Sequence, residues 1–336
     1  RDVLGSRGLG DVYKRQVLVD AKDFGLNFNF NISYNRGKID KLNGSSFWQS
    51  SSWAGTAAAG IEDFLVEEGG RLGEVYGYKT DGFYTADDFT FDAEKGTYAL
   101  KAGVNDCSSL IGGKVYPGSI KLKANEDGEY KKERLGNTVP TVSGGFGLNA
   151  RWKGFDFTAF FNYSLGNKIV NATKLGSSFY SGSSKNWNIN DHFTSANRYS
   201  WIDPSTGTNL LSSASIKANG EAWTINRLNE VNTGSSIWNP AAATVMPLVD
   251  WAVEDGSFLR VNNITIGYTL PKLFVSKLNI QNIRIYVTGY NLHCFTKYSG
   301  TDPEVDCCTS TPMTPGIDYA AYPKSRSFVG GINVTF

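Results

Sequence analysis

The chain has 336 residues, a formal net charge of +1 and a mean hydropathy of −0.29. A near-neutral chain has no electrostatic footprint for nucleic acid, and no apolar run approaches the eighteen or so residues of a membrane-crossing helix. Glycine (37), phenylalanine (20), tyrosine (17) and tryptophan (8) are abundant; such a chain meets a bilayer only with strands, whose alternating residues average to a soluble-looking hydropathy.

Residues 1–16, RDVLGSRGLGDVYKRQ, begin without Met and carry no apolar signal core. They break the pattern that follows and read as a non-native or truncated leader with no fold. Residues 17–336 are then the folded part, a fragment lacking its export signal. From Phe24 the sequence FGLNFNFNISYN alternates without a fault: Phe24, Leu26, Phe28, Phe30, Ile32 and Tyr34 take one face, Gly and polar residues the other. Eleven residues rising about 3.3 Å each, tilted by about 45°, span roughly 25 Å, the height of the apolar band of a membrane barrel. Residues 37–141 are polar and irregular, read as an excursion outside the bilayer with room for two further strands.

The segment GGFGLNARW-KG-FDFTAFFNYSLG reads as a hairpin about Lys153-Gly154. A two-residue turn sets Trp152 opposite Phe155, Ala150 opposite Phe157 and Leu148 opposite Ala159, apolar against apolar. Phe160 is the one aromatic on the polar face, a lumen contact. Residues 167–256 show no sustained secondary structure, which suits an exposed loop rather than a soluble core. Trp187, Trp201, Trp223 and Trp238 within this stretch are candidate ligand or partner contacts, weighed against simple packing of the loop. Three further strands follow, in SFLRVNNITIGYTL, NIRIYVTGYN and the closing SFVGGINVTF, where Phe328, Ile332, Val334 and Phe336 share one parity and would close a barrel. Counting back from Phe336, the long connections 37–141, 167–256 and 292–326 all fall on one side, as extracellular loops do.

The four cysteines show no zinc spacing, leaving a disulfide from Cys294 to Cys307 or Cys308 as their candidate role. His192 and His293 stand beside no nucleophile motif, and no phosphate or dinucleotide loop occurs. An enzyme is not expected.

The segments DGSFLRVNNITIGYTLP (Asp255–Pro271), IRIYVTGYNLHCFTKYSGTDPEV (Ile283–Val305) and PGIDYAAYPKSRSFVGGINVTF (Pro315–Phe336) resemble the C-terminal signature of SusC/RagA-type TonB-linked outer-membrane transporters. The run from Glu67 to Tyr84 is similar to the family's Gly-rich turn. The family stretch matching KANEDGEY often reads as a calcium loop. Here Asn125 and Asp127 are at most a remnant, because Lys123 replaces the first acid and supplies no oxygen, so no metal is expected.

The resemblance implies an all-β fold, a transmembrane antiparallel β-barrel of which this is the C-terminal portion, the whole having about 22 strands. It implies TonB-dependent import of oligosaccharides or oligopeptides, with no cofactor. The implied partners are a SusD-like surface lipoprotein, the TonB–ExbB–ExbD complex acting through a missing N-terminal region, and outer-membrane lipid. A soluble β-sandwich that binds carbohydrate and a passive porin are the alternatives.

Overall fold

The computed structural model describes residues 10–50, 62–180, 188–275, 280–307 and 313–336. Its largest element is a seven-stranded sheet of β1 (Gly10–Asp20), β2 (Phe24–Tyr34), β3 (Val142–Trp152), β4 (Phe155–Leu165), β5 (Phe258–Thr269), β6 (Asn282–Thr296) and β7 (Ser327–Thr335). The strands lie in chain order and each pairs antiparallel with the next. The β3–β4 hairpin has the register expected from its residues, Trp152 opposite Phe155 and Leu148 opposite Ala159. Lys153 (φ 44°) and Gly154 (φ 92°) turn it, the two positive φ angles that match the twist of flanking strands.

Because side chains alternate along every strand, this register collects the apolar residues into continuous rows. One row runs Phe28, Leu148, Ala159, Ile264, Gly289, Phe328; the next runs Leu26, Ala150, Phe157, Ile266, Val287, Gly330. Ring contacts reinforce them, with Phe146 and Phe161 stacked at 4.6 Å and Phe28 6.5 Å from Phe30, pairs worth about 0.5–1.5 kcal/mol beyond their buried area. β5 needs a correction of parity to join in. Leu259 and Val261 are odd, Ile264, Ile266 and Tyr268 even, and a bulge between Val261 and Asn263 brings both sets to one face. Phe160, on the polar face, lies against β3, where a Cβ on Gly145 would stand 2.9 Å from its Cζ. The ring thus covers a glycine of the neighbouring strand.

Two expectations are corrected. Residues 10–16, expected to have no fold, lie in β1 and pair with β2, because the first hairpin can extend the ladder wherever β2 offers a free edge. Their sequence still fits poorly, since Lys14 and Gln16 stand opposite Phe30 and Phe28 on the apolar face. The room left for two further strands within 37–141 is not filled by this sheet among the described residues: β2 pairs directly with β3 over its full length.

The connections sort by length. Residues 21–23, 153–154 and 270–281 link strands at one end; residues 35–141, 166–257 and 297–326 leave from the other. These three excursions fold together. In the first, Phe47–Ser50, Glu62–Val66, Glu74–Gly77 and Glu133–Asn137 form a separate four-stranded sheet. The second, expected to lack sustained structure, holds the helix Ser213–Val231, kinked at Gly220 and capped by the Ser212 side chain. Lys168–Asn171 pairs antiparallel with Val253–Asp255 and parallel with Ile317–Asp318, joining the second excursion to the third. Tyr78 exchanges backbone hydrogen bonds with Leu248 and Asp250, joining the first to the second.

The buried core lies in this layer and not on the sheet. It contains Phe64, Tyr84, Phe89, Ile120, Leu175, Leu228, Trp238 and Ile317, but none of Phe28, Phe30 or Ile32. On the sheet, Ile266 is 56% and Ile332 65% exposed.

Replacing Gly145 by valine forces a side chain into the space of the Phe160 ring. It should lower stability by about 1–3 kcal/mol, the usual cost of overpacking, read as an earlier midpoint in urea unfolding from detergent. Gly145→Val in a Phe160→Ala background should recover part of that loss.

Candidate functional site

The polar face of the sheet and the loop layer above it form the candidate solute path. On the sheet Asn27, Asn29, Asn31, Asn149, Thr158, Thr265 and Thr288 share the face opposite the apolar rows. Two ion pairs cross strands there. Arg284 holds Asp156 through two hydrogen bonds of 2.8 and 2.5 Å, and Arg151 pairs with Asp20. The Thr265 and Thr288 hydroxyls meet at 2.8 Å. The wall is hydrophilic with its charges balanced, suited to a path for polar solutes.

The third excursion is tied to this wall by a buried arginine. Arg260 of β5 is 4% exposed; it donates to Asp302 at 2.5 Å and to Glu304. Lys324 adds an ion pair with Glu304 at 2.9 Å, and Asn162 of β4 donates to the same carboxylate. Asp302 and Glu304 belong to the TDPEV run quoted above, so a loop motif and a strand arginine form one cluster. Composition gave no sign of it, though a lone arginine in the apolar run FLRV was a signal for a buried partner.

A second cluster joins excursions two and three. Glu254 accepts from the Ser299 backbone N–H (2.8 Å) and hydroxyl (2.7 Å), and from Asn171, and pairs with Lys174 at 3.1 Å. Burial pushes the Glu254 carboxyl up, but these hydrogen bonds and the ammonium outweigh it and hold the group below its ordinary value. Lys174 also lies 4.1 Å above the Trp251 ring. In the loop layer Asp203 is held by Arg227 (2.7 and 2.8 Å) and Ser205, the guanidinium being the main reason that its carboxyl sits far below the usual carboxylate range.

The candidate tryptophans are dispersed. Trp238 is 4% exposed, donates to the Ser178 carbonyl at 3.1 Å and packs on Trp251 and Phe193; it is a core residue of the layer. Trp201 is half-buried, with its Nε1 on the Pro117 carbonyl. Trp223 is exposed on the helix, and Trp187 lies outside the described residues. Asn125 spends its side-chain oxygen on the backbone N–H groups of Asp127 and Glu129, which makes a turn. Among the described residues no cluster of ligating side chains suits a metal. Of the disulfide left open between Cys294 and Cys307 or Cys308, Cys308 lies outside the described residues, and Cys294 carries a free thiol on the polar face, directly opposite Arg260 in the ladder. In β7 Phe328 and Ile332 stand opposite Gly289 and Ile285 with Val334 opposite Ile283, and Phe336 follows at the end, 81% exposed.

Comparison with known proteins follows this geometry. No family model matches the chain. It is 29% identical over 324 residues to TonB-dependent receptor P3 of Formosa agariphila, covering 95% of this chain and 27% of that protein. It is 34% identical over 89 residues to TonB-dependent receptor SusC of Bacteroides thetaiotaomicron, covering 26% of this chain and 8% of that one. A chain of the RagAB peptide transporter shares its fold at a TM-score of 0.58 and 20% identity, covering 97% of this chain and 29% of that one. The chain thus spans roughly a quarter of the length of TonB-dependent receptor P3.

Arg260→Met should strip the buried Asp302 carboxylate of its cation and leave Glu304 with Lys324 alone, at a cost of about 3–5 kcal/mol, visible as faster proteolysis within 297–326. Asp203 titrates lower in the folded state than unfolded, so its stabilisation is complete at neutral pH and is lost as pH falls below about 4 toward its folded value. Melting of the loop layer should drop over that acid range, and Asp203→Asn should flatten the drop.

The apolar rows, the polar wall and the excursions gathered at one end thus stand in a chain that is similar along nearly its whole length to TonB-dependent receptors, proteins of the bacterial outer membrane.

Proposed function

We propose that the seven strands are adjacent staves of a transmembrane β-barrel of about 22 strands, the C-terminal portion of a TonB-dependent importer, and that the three excursions are its extracellular layer. One observation carries this reading: an apolar face runs unbroken across β2 to β7 while the protein's buried core lies elsewhere, in the loops. Such a face is stable only against lipid, because an exposed patch of this extent would otherwise drive association. The polar wall then lines the lumen, and β7, with Phe328, Ile332, Val334 and Phe336 outward, meets the barrel's first strand.

The work of this region is passage and recognition, without covalent chemistry. Solutes too large for a porin, oligosaccharides or oligopeptides, would pass along the polar wall. A SusD-like lipoprotein would cap the extracellular layer, and the exposed Trp223 is a candidate contact for ligand or cap. Coupling to TonB–ExbB–ExbD belongs to the part of the relatives that this chain does not span.

Ile266→Arg, in the middle of the apolar face, should cost about 2–4 kcal/mol, the penalty for arginine at the bilayer midplane. Asn149→Arg on the opposite wall should be tolerated, the two being compared by heat-modifiable mobility after membrane assembly. The full-length protein, reconstituted with its lipoprotein and TonB complex, should take up ligand only when energised; flux without energy contradicts the importer.

A further inference from the structure

On the outward face, just below the end from which the long excursions leave, the apolar rows open into a groove of about 590 Å³. Its floor is aromatic. The Tyr163 ring lies down across β3, where a Cβ on Gly144 would stand 2.6 Å from the phenol oxygen, and its hydroxyl donates to the Asn31 carbonyl of β2 at 3.1 Å. The Phe30 ring continues that plane, 6.4 Å away and inclined by only 14°. Leu259 and Phe295 line the β5–β6 side. Above them, at and just beyond the ends of β5 and β6, the lining turns polar with Asp255, Ser257, Thr296 and Lys297. At this rim Lys297 is the ammonium that lines the groove, beside the Asp255 carboxylate, which stands opposite Lys168 in the neighbouring ladder.

We propose that this groove holds an acyl chain of a phosphorylated glycolipid of the outer leaflet, with the lipid's phosphate at Lys297. The inference rests on the outer-membrane reading above and goes beyond it, because a smooth barrel wall would solvate lipid without selecting one. Three observations lead there. The groove is continuous with the lipid-facing rows, so an apolar occupant enters sideways from the membrane. Its flat floor exists because Gly144 lets a phenol ring recline, and a reclining ring leaves room for a chain to lie along it. Its polar lip is at headgroup height at the extracellular end, where the exposed Lys297 supplies the cation that an anionic headgroup requires. A lysine near an anionic lipid surface contributes about 1 kcal/mol, roughly a fivefold change in affinity.

The test uses the whole protein extracted from its membrane in detergent, with native mass spectrometry after titration of monophosphoryl lipid A or, separately, phosphatidylethanolamine. The wild type should retain lipid A selectively. Lys297→Gln should weaken retention about fivefold, and Leu259→Trp, which fills the groove, should abolish it. Phe295→Trp serves as a second filling variant should Leu259→Trp fail to assemble. Lys272→Gln, at the opposite end of the strands, should change nothing. Equal retention of both lipids, or indifference to the groove substitutions, overturns the proposal while the importer reading stands. A protein that stays folded and dispersed without detergent overturns both.

Discussion

The structure depends on one constraint: each long strand must satisfy two solvents at once. A strand with oil on one side and water on the other can only alternate, and it can pair only in the register that keeps each kind of side chain on its own face. A slip of one residue anywhere would put Asn27, Asn29 and Asn31 among Phe146 and Leu148. Turn chemistry at Lys153-Gly154, ring stacking between Phe146 and Phe161, and the bulge in β5 are all devices that hold that register.

The second consequence is a division of labour between sheet and loops. The apolar face contributes only a few buried side chains, Ala159 and Val261 among them, so the compact part of the molecule is made by the excursions. They do so with short strands, one kinked helix and aromatic residues packed around Trp238 and Tyr84. Three separate excursions supply that core, so its packing is shared between them. The Lys168–Asn171 strand between Val253–Asp255 and Ile317–Asp318 and the Arg260 cluster bind them to each other and to the wall. A loop layer resting on a regular sheet is the usual arrangement where loops carry function.

What was legible in the sequence follows from the same physics. β2 and the β3–β4 hairpin show their period residue by residue because both faces are demanding. β5 was harder, since Asn262 adds one residue and its apolar positions change parity halfway. The helix Ser213–Val231 was not legible at all. Its buried positions include Ser215 and Thr224 beside Ile216 and Leu228, and Gly220 leaves helical geometry in its middle, so no apolar stripe exists to find. β1 was missed because its residues do not carry the pattern of its neighbours; Lys14 and Gln16 face phenylalanines. Of the candidate site, the polar wall was readable from alternation, while the Arg260 cluster joins residues more than forty positions apart and only folding reveals it. The tryptophans were visible as a group, but burial separates Trp238, which packs the layer, from Trp223, which faces outward.

The central claim is that odd and even positions along β2 meet different solvents, and it is measured most directly by attaching a spin label at each position from 26 to 33 in turn, in the membrane-assembled protein. Collision rates with oxygen, which concentrates in lipid, and with a water-soluble nickel chelate should alternate residue by residue. Positions 26, 28, 30 and 32 should favour oxygen, and 27, 29, 31 and 33 the chelate. Rates without a period of two, or the chelate reaching 28 and 30 as readily as 29 and 31, would contradict the account.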